Sequence, residues 1–135
     1  MSRLVLDTNV VVSAFLAPRA NEGRVLRLAL SPDHQLFVSQ VIVDEYVRIL
    51  GKPKLDLRPI DLEAFYASLK QRASWVQPEH RVHISPDETD NRFLECAETI
   101  DAEFLITGNK RHFPKVWKGT KIVNAREFLE KVVPL

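Results

Sequence analysis

The sequence predicts an α/β fold: a three-layer α/β/α sandwich around a central, mostly parallel sheet. Two observations point there. Short aliphatic runs, such as RLVL at 3–6 and FLIT at 104–107, read as buried strands. Between such runs lie stretches of helical periodicity, and strands separated by helices join in parallel as β-α-β units.

In chain order, RLVL is the first strand, and a helix from Asn9 to Leu16 follows, ended by Pro18. Residues 21–30 (NEGRVLRLAL) form a helix with Asn21 as its N-cap and Pro32 just beyond. LFVS at 36–39 is a strand, and Ser39 caps a helix that runs to Leu50, where Gly51 and Pro53 stop it. Residues 61–73 form a helix capped by Asp61, while WVQP at 75–78 and RVHI at 81–84 are short extended pieces. Residues 89–100 are helical, FLIT is a strand, KIVN at 121–124 is the last strand, and AREFLEKVV closes the chain as a helix. The stretch between Gly51 and Ile84 reads as a lobe of the same domain, so residues 1–135 are expected to form a single domain.

Composition narrows the function classes. The 135 residues are 45% hydrophobic, and Lys plus Arg (19) nearly balances Asp plus Glu (18). Any basic footprint for a nucleic acid must therefore be local. One cysteine, Cys96, excludes a disulfide framework and a cysteine-rich metal site. No apolar run is long enough for a membrane span, and MSRLVLD lacks the pattern of a secretory signal, so a cytoplasmic protein is expected. Four glycines without a GxGxxG disfavour a dinucleotide site.

Chemistry enters where carboxylates interrupt apolar stretches. Asp7, Thr8 and Asn9 follow the first strand, and Thr107, Gly108 and Asn109 follow FLI. If both strands are central and parallel, the two clusters meet at the carboxyl edge of the sheet, where ligands bind. Asp90 shares a helix face with Phe93, Leu94 and Ala97, and Glu45 shares one with Ile42 and Ile49. Asp44 is expected to pair with Arg48 at i+4 on the solvent side. Asp7, Glu45 and Asp90 thus read as partly buried acids with no obvious basic partner, and a hard divalent cation, Mg²⁺ or Mn²⁺, would offset their charge. Each acid also has a plain structural reading: Asp7 as a helix N-cap, Asp90 as a favourable charge in a first helical turn, Glu45 as a side chain turned to solvent. Asp87 reads as a turn or cap residue supporting the site. The four histidines form no HxxxH or HxH set, which argues against histidine-rich zinc coordination.

LVLDTNVVVSAFL, SQVIVDEYVRIL and SPDETDNRFLECAETIDAEFLITGNKRHFP, followed by the closing strand and helix, resemble the PIN-domain family of ribonucleases. The likeness is nearest to toxin components of prokaryotic toxin–antitoxin pairs (VapC-like proteins) and covers essentially the whole chain. It implies a PIN-like sandwich and metal-dependent endonucleolytic cleavage of RNA. The family's acidic positions match Asp7, Glu45 and Asp90, implied as catalytic residues and ligands of Mg²⁺ (or Mn²⁺). Thr8 and Thr107 match the hydroxyl residues and are expected to position waters. Asn109 falls where many members carry aspartate, so one negative charge is missing. Asn9 is read as an amide tying the loop. Lys110, Arg111 and His112, directly after Asn109, are expected to hold RNA. Lys52 and Lys54 are weaker candidates, because GKPK reads first as a helix terminator. The resemblance also implies a small antitoxin partner and a homodimer. The faces carrying Ala64, Phe65 and Leu69, or the NEGRVLRLAL helix, suit either a docking surface or the core. The alternatives are a catalytically weak or inactive PIN-like RNA-binding domain and, further off, a receiver-type phospho-acceptor domain.

Overall fold

A computed structural model describes residues 2–133. Its elements run β1 (Arg3–Leu6), α1 (Thr8–Leu16), α2 (Asn21–Ala29), β2 (Gln35–Val38), α3 (Gln40–Leu50), α4 (Pro59–Arg72), β3 (Ser74–Trp75), α5 (Glu88–Thr99), β4 (Phe104–Ile106), β5 (Val116–Trp117), β6 (Thr120–Val123) and α6 (Ala125–Val132). Single 3-10 turns lie at Pro53–Leu55 and Lys110–His112. The six strands form one sheet in the order β3-β2-β1-β4-β6-β5, parallel except for β5, which runs antiparallel to β6. Helices sandwich this sheet in a three-layer α/β/α arrangement, as the strand and helix pattern predicts.

The central strands need no polar alternation because helices cover both faces of the sheet. Leu4, Val5 and Leu6 of β1 and Leu105 and Ile106 of β4 are wholly inaccessible to solvent. α1 packs on α2 and α3, α2 on α6, and α5 lies against β1 and β4. Gly23 lets α2 pack directly on the turn after α1, since a Cβ there would overlap the Pro18 carbonyl. Phe65, Leu69, Val25 and Ala29 are core residues, while Ala64 is exposed beside a hollow that Leu26 and Arg27 also line.

Two local expectations are corrected. α2 has Ala20 as its N-cap, with no side-chain cap bond, and Asn21 is already helical. α4 begins at Pro59, whose fixed φ and missing N–H suit the first helical position. Asp61 therefore lies inside the first turn, paired with Arg58 at 3.0 Å. Residues 81–84 pair with no strand. Their backbone is held by side chains of α5 instead: Val82 N–H donates to Glu95 Oε2 (2.8 Å), and Ile84 and Ser85 N–H both donate to Asn91 Oδ1 (3.1 and 2.8 Å). β5 has no counterpart in the sequence expectations.

Tyr46 links α3 to the end of β1. Its ring is fully buried and its hydroxyl donates to the Leu6 carbonyl, one residue before Asp7. Tyr46→Phe is expected to lower the unfolding free energy by about 1–3 kcal/mol, because the Leu6 carbonyl is left without this donor in a dry setting. Urea denaturation at pH 7 measures it, and an unchanged midpoint would show that this bond does not anchor the strand end.

Candidate metal centre

The sheet register brings the first two polar clusters together. Leu6 of β1 is paired with Ile106 of β4. Asp7 and Thr107 each follow by one residue, and the backbone ladder continues through them: Asp7 N–H donates to Ile106 O and Thr107 N–H to Val123 O, both at 2.9 Å. Adjacent side chains at that edge therefore meet. Thr107 Oγ1 donates to Asp7 Oδ2 (2.7 Å) and accepts from Asn109 N–H (3.0 Å). Asp7 Oδ1 accepts from Thr8 N–H (2.7 Å), so Asp7 is the N-cap of α1 as well as an inward-facing acid. Asn9 Oδ1 accepts from Gly108 N–H (2.9 Å), tying the two loops as expected of a structural amide.

α5 supplies the next acids. Asp87 caps the helix by accepting from Thr89 N–H (3.0 Å), and Asp90 lies in the first turn on the buried stripe. Asp87, Asp90 and His112 place one ligand atom each within 4.8 Å of one another. His112 Nδ1 is 3.2 Å from Asp90 Oδ2, and the Asn109 amide nitrogen is 3.1 Å from the same ring atom. These residues line one cleft of about 510 Å³, together with Thr8, Asn9, Glu45, Arg48, Ile49, Lys52, Lys54 and Leu55. A larger hollow of about 630 Å³ beside Trp75 and Arg92 has Glu95 in its lining, but that carboxylate already accepts from Val82 N–H and pairs with Arg92 at 2.7 Å.

Electrostatics distinguish the first cleft. Burial raises the Asp7 carboxyl above its ordinary value, against the pull of its bonds from Thr107 and Thr8, and the Asp87 charge adds to the rise. Burial, and then the charges of Asp7 and Asp87, raise Asp90 to about 6, while His112 opposes the shift. Thr8 Oγ1 is buried in the cleft lining and has no hydrogen-bond partner. Carboxylates that disfavour one another's ionised forms, beside a hydroxyl lacking a partner, fit a divalent cation with oxygen ligands.

Other expected site residues lie differently. Glu45 lines the cleft but is not free of a basic partner: Arg48 holds it at 2.9 and 3.3 Å. Asp44, expected to take that arginine, accepts from Gln40 Nε2 instead (2.8 Å). Thr107 is fully buried with its hydroxyl engaged, so it orients Asp7 rather than a water. Lys110 pairs with Glu127 at 2.8 Å, and Lys110 and Arg111 line a separate hollow with Phe113 and Ile122. The cationic wall of the acidic cleft comes instead from Arg48, Lys52 and Lys54, at the end of α3 and the turn beyond it. Sequence reasoning also missed Asn91 and Glu95. Their signal was present in DNRFLE, where polar residues fall on turns of α5 that the apolar spacing marks as buried.

Fold and site together define a mostly parallel α/β protein with carboxylates gathered at the carboxyl edge of its sheet. The chain belongs to the PIN domain family, whose profile matches residues 3–111. That span contains Asp7, Glu45, Asp90 and Asn109, and it sets aside the receiver-type alternative. PIN domains are generally metal-dependent nucleases, usually use divalent metals, and act on RNA. Uncharacterized protein MJ1680 of Methanocaldococcus jannaschii is 27% identical over 114 residues, covering 80% of this chain and 71% of that protein. Among the described residues, no helix is long and apolar enough to cross a membrane.

Proposed function

We propose that the chain is a metal-dependent endoribonuclease whose centre lies between Asp7 and Asp90. The observation that carries this reading is the convergence of Asp7, Asp87 and Asp90 at one sheet edge, with burial and neighbouring charge raising the Asp7 and Asp90 carboxyls. A bound Mg²⁺ or Mn²⁺ would supply a lowered pKa for an attacking water and neutralise charge on the phosphorus oxygens. Asp7 and Asp90 offer carboxylate oxygens to hold it, and Thr107 and Thr8 N–H fix the Asp7 carboxylate so that little reorganisation is needed. The Thr8 hydroxyl is available to orient a water. Glu45, held by Arg48 in the cleft lining, would orient the attacking water rather than meet the ion directly. Asn109 contributes an amide where an acid would add charge, which favours a single tightly held ion.

The cationic wall supports RNA as substrate. Arg48, Lys52 and Lys54 can neutralise backbone phosphates beside the acidic floor, and Lys110 and Arg111 extend the basic surface beyond the cleft. The variant Lys52→Ala/Lys54→Ala is expected to lower the slope of log Kd against log salt for single-stranded RNA by about 0.7 for each phosphate that is no longer neutralised. An unchanged slope would remove these lysines from the interface.

The likeness of the motifs to toxin components supports a further assignment: the toxin half of a toxin–antitoxin pair, with a small antitoxin as partner and a homodimeric form. Growth arrest of a bacterial host on induction tests the toxin role, and unimpaired growth at high expression would count against it. The nuclease reading itself is tested by incubating purified protein with end-labelled RNA and Mg²⁺ or Mn²⁺. Internal cleavage that EDTA abolishes is expected. No cleavage with either ion would leave an RNA-binding domain without catalytic power.

A further inference from the structure

We infer that His112 supplies a nitrogen ligand to the ion held between Asp7 and Asp90, with Asp87 beside it, so that the centre prefers Mn²⁺ or a later first-row metal to Mg²⁺. The inference rests on the metal-dependent reading above and adds the donor type and the ion preference. His112 lies one residue beyond the span that the family profile matches. The 3-10 turn Lys110–His112 carries the ring back over the cleft, where Nδ1 is 3.2 Å from Asp90 Oδ2. Ligand atoms of Asp87, Asp90 and His112 lie within 4.8 Å of one another. Donors about 2.1 Å from a six-coordinate ion stand roughly 3 Å apart when adjacent, close to the 3.2 Å between His112 Nδ1 and Asp90 Oδ2.

One further observation points to a missing ligand. Thr8 Oγ1, on a residue only 8% exposed, lines this cleft with no partner. The Asn109 amide nitrogen stands 3.1 Å from His112 Nδ1 and 3.3 Å from Nε2, which holds the ring over the cleft beside Asp90. An ion between Nδ1 and Asp90 Oδ2 takes a lone pair from each. The resulting donor set is carboxylate oxygens with one imidazole nitrogen. Mg²⁺ favours an all-oxygen shell with several waters, whereas imidazole suits transition metals and Mn²⁺ accepts both donor types.

The probe is Mn²⁺ added below stoichiometry to the untagged protein, read by electron spin-echo modulation and by calorimetry against Mg²⁺. Modulation from an imidazole ¹⁴N is expected, and it should vanish in His112→Gln. In the same variant Mn²⁺ affinity should fall at least about 10-fold while Mg²⁺ affinity changes much less. His112 is partly exposed, so a thermal melt of the variant verifies that the fold persists. Mn²⁺ that binds, is lost in Asp7→Asn and shows no ¹⁴N modulation would overturn the inference and leave the nuclease reading standing, with His112 as a partner of Asp90 only. Failure of Mn²⁺ to bind at all would overturn both.

Discussion

Asp7→Asn is expected to reduce metal-dependent RNA cleavage at least about 100-fold while the melting temperature stays the same or rises. Loss of an outer partner of a metal ligand commonly costs 10–100-fold, so loss of the ligand's charge should cost no less. Stability should survive for a local reason. Asn is as good an N-cap as Asp, and its side-chain oxygen can keep the 2.7 Å bond from Thr8 N–H. The Thr107 hydroxyl can turn to accept from the new amide, although it then gives up its role as donor. Against that small loss, the substitution removes a charge that burial penalises and that raises Asp90. Cleavage assays paired with calorimetric melts measure both halves. Retained cleavage would refute the assignment of Asp7. A collapse in melting temperature would mean that its charge holds the strand end together, contrary to the direction of its shift.

The second large effect is a metal-induced rise in melting temperature that grows with pH. The folded Asp90 carboxyl titrates at about 6, against 3.8 for an ordinary aspartate. Between those values the folded state binds more protons than the unfolded one, so the metal-free protein loses stability as pH rises through the interval, and the deficit is complete above about 6. A cation reverses the penalty, because it binds the ionised carboxylates of the folded state. At a hundredfold excess over Kd the gain is about 2.7 kcal/mol, or roughly 5–10 °C for a chain of this size. That rise is expected at pH 7.5, and a clearly smaller one at pH 5 for the same ion concentration. Equal shifts at both values, or none at 7.5, would sever the link between these carboxyls and the ion.

Much of this was legible in the sequence, for physical reasons. The central strands are aliphatic runs that no other environment accommodates, and the polar residues at their ends can only lie at the sheet edge. Asp90 was legible because three apolar residues at helical spacing fix its face. Choices between near-equivalent partners were not legible. Arg48 can reach an acid three or four residues back, and only the side of α3 that the cleft occupies selects Glu45 over Asp44. Lys110 finds Glu127 seventeen residues later, through the packing of α6 against the sheet. The lysines of GKPK serve a helix stop and a cleft wall at once, and the first role masks the second. The two-residue β5 is too short for any pattern to announce it.

The pairing of Leu6 with Ile106 has a consequence for how this protein can change over time. Asp7 stands one step past that pair, so its location is inherited from the alignment of two interior strands. Lengthening or trimming either strand by a single residue would swing it away from its threonine, and such variants should be purged early. The turn after α3 and the loop carrying His112 bear no comparable constraint. Changes in what the cleft accepts should therefore arise in those two segments, while the acidic floor stays as fixed as the hydrophobic interior that sets it.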